Sequence, residues 1–149
     1  MDLQVRDARI TDIDRIMALL ERARRVQSAD SGDIADLLRR LVYLPNASLS
    51  IVTQGREAVG AALLTLRPSV SAAGLIGTID LFVHETSDAG DVAELLLAEL
   101  VRSARNKGCV LIEAPAPARG GELRRWQALG FHNIGTRLGR PISPTVASA

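Results

Sequence analysis

Two apolar runs, LIGTIDLFV at 75–83 and CVLIEA at 109–114, bracket a stretch whose apolar residues recur at helical spacing. Nothing else in the chain restricts its topology so tightly. Strand, helix and strand in that order join into a parallel pair by a right-handed crossover, the hand that lets a right-twisted strand and its helix pack back on the sheet. The helix is expected from about Ala89 to Lys107, with Gly108 in the position of a C-terminal cap. CVLIEA reads as a fully apolar strand, buried on both faces. Alternation within the first run sets Thr78, Asp80 and Phe82 on one face and Ile79, Leu81 and Val83 on the other.

The segments on either side complete a layered fold. LQVRDARI is a strand with Leu3, Val5 and Ile10 roughly on one face, and Thr11 caps the helix DIDRIMALLERARRVQ. Asp12 and Asp14 lie in that helix's first turn, and Ile13, Ile16, Met17, Leu20 and Ala23 form its buried stripe. After the break SADSG comes a second helix, DIADLLRRLVYL, with Ile34, Leu37, Leu38, Leu41 and Val42 at helical spacing and Pro45 as its stop. SLSIVTQ and AVGAALLTL are strands joined around GRE, and Pro68 ends the second. SVSAAG is a loop, PAPARGG another, ELRRWQALG a short helix and FHNIGTRL a last strand. The order β-α-α-β-β-β-α-β-α-β defines an α/β (α+β mixed) domain, a mixed central sheet with helices on both faces, over residues 1–140. The tail 141–149, rich in small residues and proline, is expected to be partly disordered or to form a short pairing strand.

Composition removes several classes of function. A chain of 149 residues, 47% hydrophobic and 23% charged, suits one soluble domain with a single core. That core must be aliphatic, since Tyr43, Phe82, Trp126 and Phe131 are its whole aromatic complement. No apolar run approaches the roughly 20 residues that span a bilayer, and the start lacks the basic-then-apolar order of a signal peptide. A cytoplasmic protein with no membrane partner is expected. Cys109 alone excludes an internal disulfide and a cysteine metal cluster, and no spacing suits another metal site. Acidic residues crowd 84–99 and basic ones 102–140, but no aromatics interleave with the latter for stacking on bases, so no nucleic-acid partner is expected. No Gly-x-Ser-x-Gly elbow exists from which to build a nucleophilic triad.

Taken in order, the pieces resemble the GNAT superfamily of acyl-CoA-dependent N-acetyltransferases over nearly the full chain. VRDARITDIDRIMALL matches the front, VTQGREAVGAALL the hairpin, IDLFV the strand before the cofactor loop, and LLLAELVRSARNKGC the following helix. RRWQALGF is similar to the family's Tyr-x-x-x-Gly-Phe ending, with Trp126 at the tyrosine position, then Gly130 and Phe131. The resemblance implies acetyl-CoA as cosubstrate, no metal, and a cleft where two parallel strands splay apart. It places the backbone of Leu81, Phe82 and Val83 against pantetheine. The bend and helix start, Asp88, Ala89, Gly90, Asp91, Val92 and Ala93, are the cofactor loop, with Gly90 to Ala93 against the pyrophosphate, where a helix N-terminus offers unpaired N–H groups. The acceptor it implies is a primary amine on a small molecule or peptide. A hairpin is also expected after LGF, yet only PISPTVASA is there to pair, so a homodimer whose partner supplies the strand is a further expectation.

The family's loop reads Gln/Arg-x-x-Gly-x-Gly/Ala. Without a gap, Asp88 takes the Gln/Arg position, Asp91 the first glycine and Ala93 the last; a one-residue shift gives Ser87, Gly90 and Val92. The ungapped register preserves the helix length to Gly108. In either register the basic residue is absent. Asp88 also suits an N-cap, with Asp91 complementing the helix dipole from the first turn. The bend therefore either clasps an anion or caps itself, and the two alternatives are a transferase and a non-catalytic GNAT-like binding or interaction domain.

Acetyl transfer to an amine needs a positioned thioester, a proton acceptor for the ammonium and a proton for the leaving thiolate. Asp80, on the cleft-lining strand, is either a general base or anchor for the amine or a residue of a solvated strand face. His84, beside Glu85, suits base chemistry or a loop in water. Glu113, at the end of the neighbouring parallel strand, is the third candidate. Trp126 cannot supply the proton that the family's tyrosine often gives, and Tyr43, at the end of the second helix, reads as a half-buried packing residue. Cys109 reads as packing.

Overall fold

The structure, a computed structural model, describes residues 2–26, 30–116, 120–135 and 137–142. Part of SADSG, part of PAPARGG and the tail beyond 142, on which expectations were placed, lie outside them. The chain divides into two compact units, Met1–Pro115 and Ala116–Ala149.

The first unit is a mixed sheet with helices on both faces. Its elements are β1 (Leu3–Asp7), α1 (Ile13–Arg22), α2 (Ser31–Leu41), β2 (Ala47–Gln54), β3 (Glu57–Ser69), β4 (Gly74–His84), α3 (Val92–Asn106) and β5 (Leu111–Glu113). The strands lie in the order β1-β2-β3-β4-β5, antiparallel except for the parallel β4–β5 pair. One face packs on α1 and α2: Leu49, Ile51, Ala61, Leu63 and Val83 bury themselves with Ile13, Ile16, Leu19, Leu20 and Leu38. The other face packs on α3 so closely at Gly60 that a Cβ there would meet Val92 Cγ1 at 2.6 Å and Leu96 Cδ1 at 3.0 Å. Only glycine admits that approach.

Helix ends follow their own chemistry. α1 begins not at a Thr11 cap but after a 3-10 turn, Ile10–Asp12, and Asp12 in the N-cap position makes no capping bond within the helix. It stops well short of Gln27. Arg24 adopts φ 56°, its N–H donating to Glu21 O (3.1 Å) while that of Arg25 donates to Leu20 O (2.9 Å), the paired bonds of a Schellman stop. A left-handed conformation costs a non-glycine residue roughly 1–2 kcal/mol, of which glycine's unfolded-state entropy cancels part. Arg24→Gly is expected to raise stability by about 0.5–1 kcal/mol, seen as a higher urea midpoint at unchanged slope; a lower midpoint would contradict this account. Gly108 (φ 80°) ends α3 the same way, as its sequence position predicts.

Several expectations are corrected. Leu37, placed in the buried stripe of α2, is 48% exposed, because Ala35 and Leu38 take the core-facing positions. β3 runs through Pro68 to Ser69. The N–H of Leu66 points at Asn46 O on the β2 side (2.8 Å), so two residues on Pro68 presents its missing donor where β2 has already ended. CVLIEA is not buried on both faces: only Leu111–Glu113 pair, β5 is an edge strand, and Val110 is 61% exposed. Among the described residues of 131–138 no strand forms, where FHNIGTRL was expected to be one.

Candidate active site

The parallel ladder has three rungs, Ile76–Leu111, Gly77–Ile112 and Thr78–Glu113, and then stops. Two residues later β4 carries a bulge. Leu64 stands opposite Ile79 and Leu63 opposite Leu81, which leaves Asp80 with no counterpart on β3. An extra residue bends its strand and raises the local twist, so β4 turns where its parallel neighbour ends. The bulge also overturns the simple alternation. Ile79 shares the α3 face with Leu64, whereas Leu81 shares the α1–α2 face with Leu63, and Thr78 and Phe82 divide likewise opposite Thr65 and Ala62.

The three candidate acids and bases do not converge equally on this fork. Asp80 is exposed at the bulge itself. His84 closes β4, half-buried, its ring edge-on to Phe82 at 5.7 Å and 69°. Glu85, expected to tune His84, gives its carboxylate to Arg22, at 2.8 Å for Nη2–Oε1 and 3.4 Å for Nε–Oε2. That bond, with Ala58 O accepting from the same Nη2 at 2.9 Å, ties the end of α1 to the end of β4 and raises the Arg22 guanidinium pKa. Glu113 accepts from Thr78 Oγ1 at 3.0 Å and lies 3.6 Å from Arg67 Nη2. Tyr43 is 73% exposed instead of half-buried, standing past the last turn of α2. Cys109 is half-buried just before β5, and burial pushes its thiol pKa up, away from nucleophilic use.

The bend from β4 to α3 is held by its own polar side chains. Glu85 N donates to Val59 O (2.8 Å), Ser87 Oγ donates to Gln54 Oε1 (3.2 Å), and Ala89 N donates to Ser87 Oγ (3.1 Å). Asp91, not Asp88, is the N-cap: its Oδ1 accepts from Glu94 N at 3.1 Å and the helix starts at Val92, three residues later than its composition suggested. Asp88 is exposed and caps nothing. Among the described residues no side chain caps the amides of Val92 and Ala93, two of the first-turn donors that have no partner within the helix.

Trp126 belongs to the second unit, on α4 (Gly120–Ala128). Gly130 N donates to Gln127 O (3.0 Å), Phe131 N to Trp126 O (3.1 Å), and Gly130 has φ 95°. Trp126 and Phe131 then meet edge to face at 5.1 Å. WQALGF is thus a Schellman stop with its customary apolar contact. This accounts for the glycine and the phenylalanine without a ligand. What sequence reasoning missed at the fork was the pairing of Thr78 and Arg67 with Glu113, since partners on three strands become visible only when the register is known.

Among the described residues no group of three or more His, Cys, Asp or Glu could hold a metal ion, and no helix is long and apolar enough to cross a membrane. The sequence matches no protein-family model and no curated protein. Solved structures do match. The fold is the mixed α/β fold of the GNAT acetyltransferases. A predicted acetyltransferase from Clostridium acetobutylicum, solved with acetyl-CoA, superposes with a TM-score of 0.75 at 16% identity, covering 94% of this chain and 96% of that one. Glucosamine-6-phosphate N-acetyltransferase from Arabidopsis thaliana gives 0.77 at 11% identity, over 96% and 100%. A transcriptional regulator from Bacillus halodurans C-125 gives 0.79 at 19% identity, over 94% and 99%. At such identities the likeness is one of fold, and what the site does must be argued from its residues.

Proposed function

We propose that the protein is an N-acetyltransferase that moves an acetyl group from acetyl-CoA to a primary amine of a small molecule or peptide. The observation that carries this reading is the end of the β4–β5 ladder at Thr78–Glu113 while β4 runs on to His84, with the opening turn of α3 following the far end of the same strand. The strand beyond Thr78 has no β5 rung, which suits an extended, amide-bearing arm laid along Leu81, Phe82 and Val83. The amides of Val92 and Ala93, at the positive end of a 15-residue helix, suit the diphosphate. Acetyl-CoA supplies the acyl group already activated as a thioester.

The chain's own residues have three tasks. The fork and the helix start bind and orient the donor. Asp80, exposed at the bulge, or His84, at the end of β4, takes the proton of the acceptor ammonium, directly or through water. The loop pins from Ser87 and Glu85 hold the site before the donor arrives, which lowers the ordering cost of binding. No described side chain is assigned as the acid that protonates the departing thiolate.

Donor binding is the test. Acetyl-CoA at 100 times its dissociation constant should stabilise the fold by about 2.7 kcal/mol, which for a domain of this size raises the melting temperature by roughly 5–10 °C. A melting curve unmoved by millimolar acetyl-CoA and by CoA at low salt would favour the other reading, a GNAT-like interaction domain whose bend caps itself through Asp91.

A further inference from the structure

Thr78 and Glu113 are the last rung of the parallel ladder, directly opposite each other, and Thr78 Oγ1 donates to Glu113 Oε1 at 3.0 Å. Arg67, on the other side of β4, approaches the same oxygen at 3.6 Å. The three side chains lie on one face of the sheet just before the Asp80 bulge, Thr78 and Glu113 on one rung and Arg67 reaching in diagonally from opposite Ile76. The Glu113 side chain is 11% exposed. Such burial suits an acceptor for neighbouring donors better than a base that must reach an ammonium in water.

From this geometry we infer that Glu113 is a positioning residue, part of an Arg67–Thr78–Glu113 clamp that fixes the point at which β4 and β5 part. This deepens the donor-site reading and rests on it. β5 has three paired residues and an outer edge with no strand against it among those described, so its ladder alone is a weak restraint. A side-chain bond across the last rung sets how far the fork runs, and therefore how far from Asp80 a thioester seated in it comes to rest. The bulge opens the fork; the clamp stops it from opening further.

The test compares Glu113→Ala, Glu113→Gln and Thr78→Val in the full chain. Glutamine keeps an acceptor oxygen for Thr78 while giving up the charge that faces the exposed Arg67 end; alanine and valine each remove the Thr78–Glu113 bond. In the protein without ligand, hydrogen exchange at 76–79 and 111–113 should be about tenfold faster in Glu113→Ala and Thr78→Val, the change expected for one lost hydrogen bond at an open edge. It should stay near wild type in Glu113→Gln. Acetyl-CoA binding should weaken by about tenfold in the first two and recover in the third, with the pH profile of transfer unchanged in all. Equal exchange in all four proteins overturns the clamp. Loss of the pH profile in Glu113→Gln overturns it in favour of a base. A wild type that binds no acetyl-CoA overturns the positioning role through the donor reading itself, and that failure is distinguishable because the exchange differences would persist.

Discussion

Replacing Asp12 by Asn should cost about 2–4 kcal/mol of stability, since it breaks up a cluster built around a buried carboxylate. Asp12 is fully buried, yet charged. Arg6 grips it with two bonds, Nη1–Oδ2 at 2.7 Å and Nη2–Oδ1 at 2.9 Å. Arg15 adds a close ion pair to Oδ1, and Arg9 N donates to Oδ2 at 2.7 Å. Arg15 also reaches Arg56 O at 3.2 Å, so one carboxylate joins β1, the start of α1 and the β2–β3 turn. Asparagine has one acceptor oxygen where four donors converge, and it leaves the half-buried Arg6 guanidinium without its countercharge. In urea this should appear as a much lower midpoint at unchanged slope.

The same carboxylate gives the fold an acid limit. Its hydrogen bonds from Arg6, aided by the Arg9 amide and the charges of Arg6 and Arg15, lower its pKa from 3.8 to about 2 against the opposing effect of burial. A depressed carboxylate contributes stability that is complete above its unfolded pKa and lost as pH falls through the folded one. Here the window runs from about pH 4 down to about pH 2, and the contribution is about 2 kcal/mol. Wild type should lose that much more than Asp12→Asn across the window. Parallel stability curves for the two proteins, or a variant within 1 kcal/mol of wild type at neutral pH, would contradict the buried-cluster account.

The second large effect concerns affinity. Asp91→Asn keeps an oxygen for the amide of Glu94, so α3 should still begin at Val92, with a loss of about 0.3–1 kcal/mol from the missing charge at the dipole. Acetyl-CoA should nevertheless bind more tightly. Two unit charges about 6 Å apart, the scale of a phosphate over the first turn, interact by roughly 3 kcal/mol at an effective dielectric near 20, equivalent to about 100-fold in dissociation constant. The gain should approach that limit at low salt and shrink in molar salt, where screening acts within about 3 Å. Stability and affinity then move in opposite directions. Equal affinities at low salt would mean that the carboxylate is turned from the donor and that the acidic bend has no bearing on it.

Much of the architecture was legible because it rests on short-range chemistry. The crossover from β4 through α3 to β5 follows from two apolar runs around a helical stripe, and the stop at Gly108 from a glycine past the last apolar turn. What escaped depends on register. A bulge inserts Asp80 without disturbing the apolar pattern around it, so strict alternation placed Ile79 and Leu81 together when they lie on opposite faces. CVLIEA looks like an interior strand by composition, but burial is decided by neighbours, and β5 has one. Asp12 reads as an ordinary residue of a helix's first turn; its tie to Arg6 requires knowing that β1 runs beside that turn. At the candidate site the bend and the helix start were legible as a place, while the choice of Asp91 over Asp88 as cap was not, since both precede apolar residues at suitable spacing.

We propose above all that the open stretch of β4 beyond Thr78 and the opening turn of α3 together seat acetyl-CoA. Titration followed by backbone amide chemical shifts tests it most directly. The account predicts that the amides of Leu81, Phe82, Val83, Val92 and Ala93 shift together and saturate with one dissociation constant. Saturable shifts confined to other parts of the chain, or none at millimolar acetyl-CoA, would contradict it.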